Sequence, residues 1–372
     1  MRMFSTKRFY LLGLVILSLV LASCAPAATA TEAPAPAAPE TQATATTAAP
    51  AAEPTEAPEP TPTTPPMSCE PLPNQPTVND GDLGSASNPV VITFVPSGDS
   101  GRITTAGTQI AECLSQMTGM AFEIEVGTSF AASIEAMGAN KAHIGFLNTF
   151  SVLLAEEKYQ VVPVLANLRR YNTNAVDPDK AMEGEMQPFY KGQFITQADS
   201  GITEFADLKG KSFCFGDPNS TSSYIIPRII LQANGVDPDV DLPNQVSAGS
   251  HNNIAIAVYQ GDCDAGVTFV DVLTDEAANL KEKYPDIAEK VVPFAVTERI
   301  PNDGVQVTKD LDPAIRDAVV DGLLAMADDP GGAAVLRALY SINAFVEVEP
   351  DFYHDFADVL KAAGVNPEEL VR

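Results

Sequence analysis

From Val90 onward, short apolar runs rich in β-branched residues alternate with stretches of helical pattern, and the alternation runs through twice. Residues 90–95, 122–126, 144–147 and 161–166 read as strands, with helical stretches ending near Met117, covering 130–137 and starting near Phe150. In the second half, strands at 194–196, 213–215, 265–269, 291–296 and 305–307 are separated by helices at 221–233, 252–260 and 313–327, with a last helix at 352–363. Such alternation predicts a mainly parallel sheet covered on both faces. The stretch 67–372 is longer than one hydrophobic core usually supports, ~250–300 residues. The chain is therefore expected to form two α/β lobes with a cleft between them, where ligands collect at the carboxyl ends of strands. Lobe 1 takes 67–193, lobe 2 takes 194–300, and 301–372 returns to lobe 1 and adds the C-terminal helices.

The first residues obey different rules. Arg2, Lys7 and Arg8 precede the apolar run 11–22, which is too short for a comfortable span and ends at Ser23-Cys24. This reads as a signal peptide over 1–23, with Cys24 as the lipidated N-terminus of the mature chain. Residues 25–66 contain only Ala, Pro, Thr and Glu apart from Gln42. Without large apolar side chains they cannot offset their ordering entropy, so 24–66 reads as a disordered tether. Formal charge is −27, which makes nucleic acid and anionic lipid surfaces poor partners. Contact with the membrane is expected through the lipid anchor only, and the folded part as a monomer.

Apart from Cys24, the cysteines are Cys69, Cys113, Cys214 and Cys263. Outside the membrane they can form two disulfides in three pairings. Cys214 lies in a strand-like run and Cys263 directly before another, so neighbouring strands can join them and leave Cys69 with Cys113. No CxxC spacing occurs and there are three histidines in all, which argues against zinc and leaves no metal or cofactor expected.

Three helix starts carry groups that suit an anion. In the segment 217–223, Ser220, Thr221 and Ser222 offer hydroxyls and backbone N–H groups after a strand, and the helix dipole adds positive potential. The plain alternative is that one of them merely caps the helix. His251 sits at a second start and can donate to an anion at neutral pH. Thr128, Ser129 and Phe130 form a third, with Thr149 and Phe150 as a weaker copy. Arg169 and Arg170 follow a strand end from which they can reach the cleft, although such a pair is more often a solvated loop.

Taken together, Gly127 to Phe130 with Ile134-Glu135-Ala136, the runs 144–147, 207–210 and 217–223, Gly249-Ser250-His251, 261–266 and Ile300 to Asp303 resemble the substrate-binding proteins of phosphate/phosphite/phosphonate ABC transporters. The resemblance spans about residues 90–345. It implies a two-lobed periplasmic-binding-protein fold of type II, an extracytoplasmic location, an importer permease as partner and no catalysis. It also implies that Ser220, Thr221, Ser222 and His251 bind the oxyanion's oxygens, with Asp271 near the place of an acidic residue for a ligand amine. Phe130 and Phe150 stand where the family often has tyrosine, which removes two phenol donors. Ser223 replaces a common glycine, a change expected to matter little.

Other readings have less support. Ser220 or Ser222 with His251 and Asp264 can be written as a nucleophile triad, yet no Gly-x-Ser-x-Gly elbow is present. Gly210-Lys211-Ser212 ends like a phosphate-binding P-loop, but Phe205 stands where that loop needs glycine. The same fold with a different small solute is the principal alternative. A surface scaffold lipoprotein without ligand is a further one.

Overall fold

The computed structural model describes residues 65–367. The expected signal peptide, the lipidated Cys24 and nearly all of the tether lie outside those residues. Two mixed sheets carry the fold. The first is built from β1 (Val90–Phe94), β2 (Phe122–Val126), β3 (Ile144–Leu147), β4 (Val162–Arg170), β5 (Met186–Gln187), β13 (Gly304–Val307) and β14 (Ala344–Glu347), in the order β14-β4-β13-β3-β1-β2 with β5 on β4. The second contains β7 (Gly192–Gln197), β8 (Ser212–Gly216), β9 (Asn244–Gly249), β10 (Ala265–Phe269) and β11 (Val291–Val296), in the order β11-β7-β10-β8-β9. Between the sheets, β6 (Phe189–Tyr190) and β12 (Ile300–Pro301) pair as the chain crosses out and back.

The sheets are less parallel than the strand–helix alternation predicts. β1 runs parallel to β2 and β3, and β8 parallel to β9 and β10, each through a crossover helix. The strands next to the crossings are antiparallel: β7 against β10 and β11, β13 against β3 and β4. A chain leaving one sheet enters the next without a crossover helix, so its direction is reversed there.

Helix α1 (Ser100–Thr118) shows why the local assignments hold. Asp99 caps it by accepting from the Arg102 N–H at 2.8 Å, and Gly119 closes it in the left-handed region at φ 74°. Ile103, Ala106, Ile110, Leu114 and Met117 recur three or four residues apart and are all buried. They pack with Phe94 and Phe146, whose rings stack 4.8 Å apart. Fourteen strands and the longer helices leave no helix among the described residues long and apolar enough to cross a membrane. Residues 328–347, unassigned from sequence, form the helix Pro330–Tyr340 and strand β14. Cys69 joins Cys113 on α1, and Cys214 on β8 joins Cys263 beside β10.

Candidate functional site

A cavity of about 70 Å³ lies where the carboxyl ends of β8 and β10 face those of β3 and β4. A single water needs roughly 10–15 Å³ on this measure, so the space suits about five or six heavy atoms. Ser220, Ser222, His251 and Phe130 line it, together with Asn148, Asn167, Arg169, Tyr190, Asn302, Asp303 and Tyr340.

The helix after β8 opens with one wide π turn, Thr221–Ile225, before continuing as α4 (Ile226–Ala233). Such turns often mark functional sites. Ser220 is its cap, and its Oγ accepts from both the Ser223 N–H (3.3 Å) and the Ser223 hydroxyl (2.6 Å). With both lone pairs used, the Ser220 proton is the only valence left, and it is available to the cavity. Ser223, expected to matter little, thus orients Ser220. Gly216 makes this possible, because a Cβ there would overlap the Ser223 hydroxyl.

Thr221 does not line the cavity. Its Oγ1 accepts from Asn148 Nδ2 and from the Phe150 N–H, both at 2.9 Å, so it bolts the second sheet's helix to the first lobe's α3 (Thr149–Tyr159). Asn148 Nδ2 also reaches the Asn219 carbonyl at 3.0 Å. Two further bonds cross the cleft: Phe130 N–H to Asp217 Oδ2 at 3.3 Å, and His251 N–H to the Ser97 carbonyl at 3.1 Å.

His251 opens the helix His251–Gln260, and its Nδ1 accepts the Phe269 N–H at 3.2 Å. Burial, then the nearby Arg169 charge, push its pKa down to about 3. The imidazole is therefore neutral, and Nε2 carries the proton as a donor. This geometry also removes the nucleophile triad. A triad histidine donates from Nδ1 to a carboxylate, whereas here Nδ1 accepts, and Asp264 receives the Ser212 N–H and hydroxyl at 2.8 and 2.7 Å.

The remaining predicted residues fall elsewhere. Thr128 is exposed, and Ser129 Oγ caps α2 (Phe130–Gly138) by accepting from Ala132 N–H. Thr149 donates from its hydroxyl to the Pro301 carbonyl at 2.6 Å. Phe150 is wholly buried in the core and offers only its N–H to Thr221. Asp271 stands behind Arg169, 3.5 Å from its guanidinium, and accepts from Asn172 Nδ2 at 2.6 Å.

Several further groups line the cavity, of which the sequence offered only Arg169, and that mainly as a loop residue. Arg169 is no solvated loop residue: it borders the cavity between Asp271 and Asp275 (3.4 Å), with its guanidinium 5.3 Å from the Phe269 ring centre. Burial opposes its charge, but Asp271, Asp275 and Asp303 outweigh burial and hold the pKa raised. Arg170 does reach outward, to the Gly184 carbonyl. Tyr190 and Tyr340 supply phenols, the first beside the Ser222 and Thr221 hydroxyls, the second donating to the Val95 carbonyl at 2.6 Å. Asp303 accepts from the Thr149 N–H at 3.3 Å, and burial pushes its pKa up to about 6.

Residues 92–353 match the profile of the family described as "ABC transporter, phosphonate, periplasmic substrate-binding protein". The chain is 26% identical over 194 residues to the phosphate-import protein PhnD of Mycolicibacterium smegmatis, covering 50% of this chain and 56% of that one. It is 28% identical over 218 residues to the phosphonates-binding periplasmic protein of Escherichia coli, covering 56% and 58%. The chain thus spans a little over half the length of these curated relatives. Among solved structures, a binding protein component of an ABC phosphonate transporter from Pseudomonas aeruginosa superposes with a TM-score of 0.62 at 20% identity, over 73% of this chain and 85% of that one. PhnD1 from Prochlorococcus marinus, solved in complex with methylphosphonate, gives 0.61 at 16% identity, over 74% and 98%. These likenesses give the fold as a two-lobed α/β binding protein, and the profile match places the chain in the family of periplasmic substrate-binding proteins of phosphonate ABC transporters.

Proposed function

We propose that the protein is the extracytoplasmic solute-capturing component of an ABC importer and takes a phosphate-, phosphite- or phosphonate-type oxyanion. The observation that carries this is the row of neutral donors on one wall: the Ser220 proton left free by Ser223, the Ser222 hydroxyl and the Nε2–H of His251. An oxyanion taken from water must have its oxygens satisfied, and donors fixed beforehand do so without reorganisation. The related proteins from M. smegmatis and P. marinus, named for phosphate and solved with methylphosphonate, support the same class of ligand.

In this reading the lobes divide at 193/194 and 300/301, and their closing over the ligand is what the permease detects. Cys24 carries the lipid that holds the folded part, as a monomer, at the membrane surface, and no chemistry is done on the ligand. Calorimetric titration of the ligand-stripped protein with phosphate, phosphite, methylphosphonate and 2-aminoethylphosphonate tests the assignment. One of them is expected to bind tightly, and replacing Ser220 and Ser222 together by alanine should weaken it by at least ~100-fold, since a hydrogen bond to a charged group contributes about 1.5–3 kcal/mol. No heat from any of the four would refute the oxyanion reading.

A further inference from the structure

The donors of the proposed oxyanion site all hang from the second sheet: Ser220 and Ser222 follow β8, and His251 follows β9. A ligand favours a closed form only by as much as it binds that form better than the open one. An anion held by that wall alone would bind both forms alike. For closing to report the ligand, the first lobe must touch it too. Most of the first lobe's donors at the cavity are already committed. The Phe130 N–H goes to Asp217, Asn148 Nδ2 to Asn219 and Thr221, the Tyr340 hydroxyl to the Val95 carbonyl, and the Ser341 hydroxyl to Asp275.

Arg169, at the end of β4, is different. Its side chain borders the cavity and is 16% exposed. A guanidinium carries five N–H hydrogens. Here Nη2 alone meets carboxylates, Asp271 at 3.5 Å and Asp275 at 3.4 Å, both long for charged partners. Nε and Nη1 carry the other three hydrogens and have no hydrogen-bond partner among the described residues. Asp303 acts on the guanidinium through its charge, without a hydrogen bond to it. Arginine cannot shed its proton to escape this, and the bonds a buried charged group leaves unmade are costly. The group is also held in place. It lies 5.3 Å from the Phe269 ring centre, and Asp271 is fixed in turn by Asn172 Nδ2 at 2.6 Å.

We infer that Arg169 is a ligand-binding residue, which donates to the anion through the hydrogens that Asp271 and Asp275 leave unused. One side chain of the first lobe then grips both the ligand and the second lobe. This rests on the oxyanion reading above and adds to it the contact that closing makes. The two aspartates set the direction of the guanidinium and cancel its surplus charge, while its remaining hydrogens stay available to the cavity.

A merely structural Arg169 would only neutralise the two aspartates, and a pair of variants separates the roles. Asp271→Asn with Asp275→Asn removes the carboxylates and keeps the guanidinium. Adding Arg169→Gln removes the guanidinium as well, without leaving a buried carboxylate bare. With folds checked by thermal melting, the ligand-stripped proteins are titrated calorimetrically with phosphate and methylphosphonate. The triple variant should bind at least ~10-fold more weakly than the double, the low end for a hydrogen bond to a charged group. A triple variant within threefold of the double would overturn the inference, because the guanidinium then adds nothing once its partners are gone. A second measurement uses the native protein. The guanidinium proton resonances of Arg169, identified by their loss in Arg169→Lys, should shift when phosphate or methylphosphonate is added to saturation, and unmoved resonances at saturation would likewise overturn it. Silence of the native protein toward every oxyanion would instead sink the oxyanion reading itself.

Discussion

Thr221→Val tests whether the threonine acts as a latch between the lobes. Valine keeps the β-branched shape and the volume, and removes one atom, Oγ1. That atom accepts two hydrogen bonds, from Asn148 Nδ2 and from the Phe150 N–H, and both cross the cleft. The Asn148 amide keeps its second bond, to the Asn219 carbonyl, so its loss is partial, about 0.5–1.5 kcal/mol. The Phe150 N–H is buried at the start of α3 and is left unpaired, which costs about 1–3 kcal/mol. Both penalties apply only when the lobes are together. The closed form should therefore lose about 1.5–4.5 kcal/mol, and apparent ligand affinity should fall ~10- to 1,600-fold at about 1.4 kcal/mol per factor of ten. Calorimetry gives the affinity, and small-angle scattering with ligand present gives the closure. The ligand-free melting temperature should hold to within about 2 °C, and Thr221→Ser should bind nearly as the native protein does. A double-mutant cycle with Asn148→Ala should show coupling above ~0.5 kcal/mol. An affinity within threefold of native, or a coupling of zero, would refute the latch. So would a loss of affinity with closure unchanged, which is the signature of a direct ligand contact.

Two further expectations follow from single side chains. Ser223→Ala removes the hydroxyl that occupies one lone pair of Ser220 and lets the Ser220 proton turn away from the cavity. Affinity should fall about 5- to 10-fold with little change in melting temperature, and native affinity in this variant would show that Ser220 needs no orienting partner. His251 has its pKa pushed from 6.5 to about 3 by burial, so the unfolded chain binds a proton below pH 6.5 that the fold refuses. Its contribution to stability is complete above 6.5 and is lost as pH falls toward 3, by up to ~1.4 kcal/mol per unit. Between pH 6.5 and about 5 the native protein should lose ~2 kcal/mol more than His251→Gln in denaturant titrations, and parallel stability curves would contradict the neutral, buried imidazole. Asp303 titrates in the opposite sense, its raised pKa favouring the fold as pH drops through about 6, but it is common to both proteins and cancels.

Where the fold was legible, period and punctuation agreed. The helix from Ser100 could be read from its apolar spacing and Gly119, and the strands from their β-branched runs. Ser220 and Ser222, which line the cavity, were read from a polar cluster at a strand-to-helix turn, the same cue that a simple cap leaves. The same reasoning misled at Thr128 and Ser129. An identical local pattern ends there in an exposed side chain and a simple cap, because the first lobe's α2 presents only Phe130 to the cavity. Tyr190, Asn302 and Asp303 belong to the crossing segments, whose meaning depends on where the second lobe sits, and no local periodicity records that. Tyr340 ends a helix that sequence left unassigned. Asn167 did leave a trace: one amide inside the apolar strand β4 is a buried polar group in need of a reason.

On the oxyanion reading, the make-up of the cavity accounts for how an acidic protein holds an anion. With a formal charge of −27, long-range steering works against an oxyanion, and counter-ions screen it beyond roughly 8–10 Å. The site does not answer this with net positive charge, since the Arg169 guanidinium is matched by Asp271 and Asp275. It answers with dipoles: the Ser220 hydroxyl and the His251 imidazole N–H, each with its direction set by a neighbour, and the Ser222 hydroxyl on the same wall. Dipoles attract weakly at a distance and strongly in contact, where water is excluded. On the oxyanion reading, recognition then resides in what the dipoles demand of the ligand, acceptor oxygens placed where they point. Neutral recognition of this kind selects by where the ligand's oxygens lie rather than by net charge.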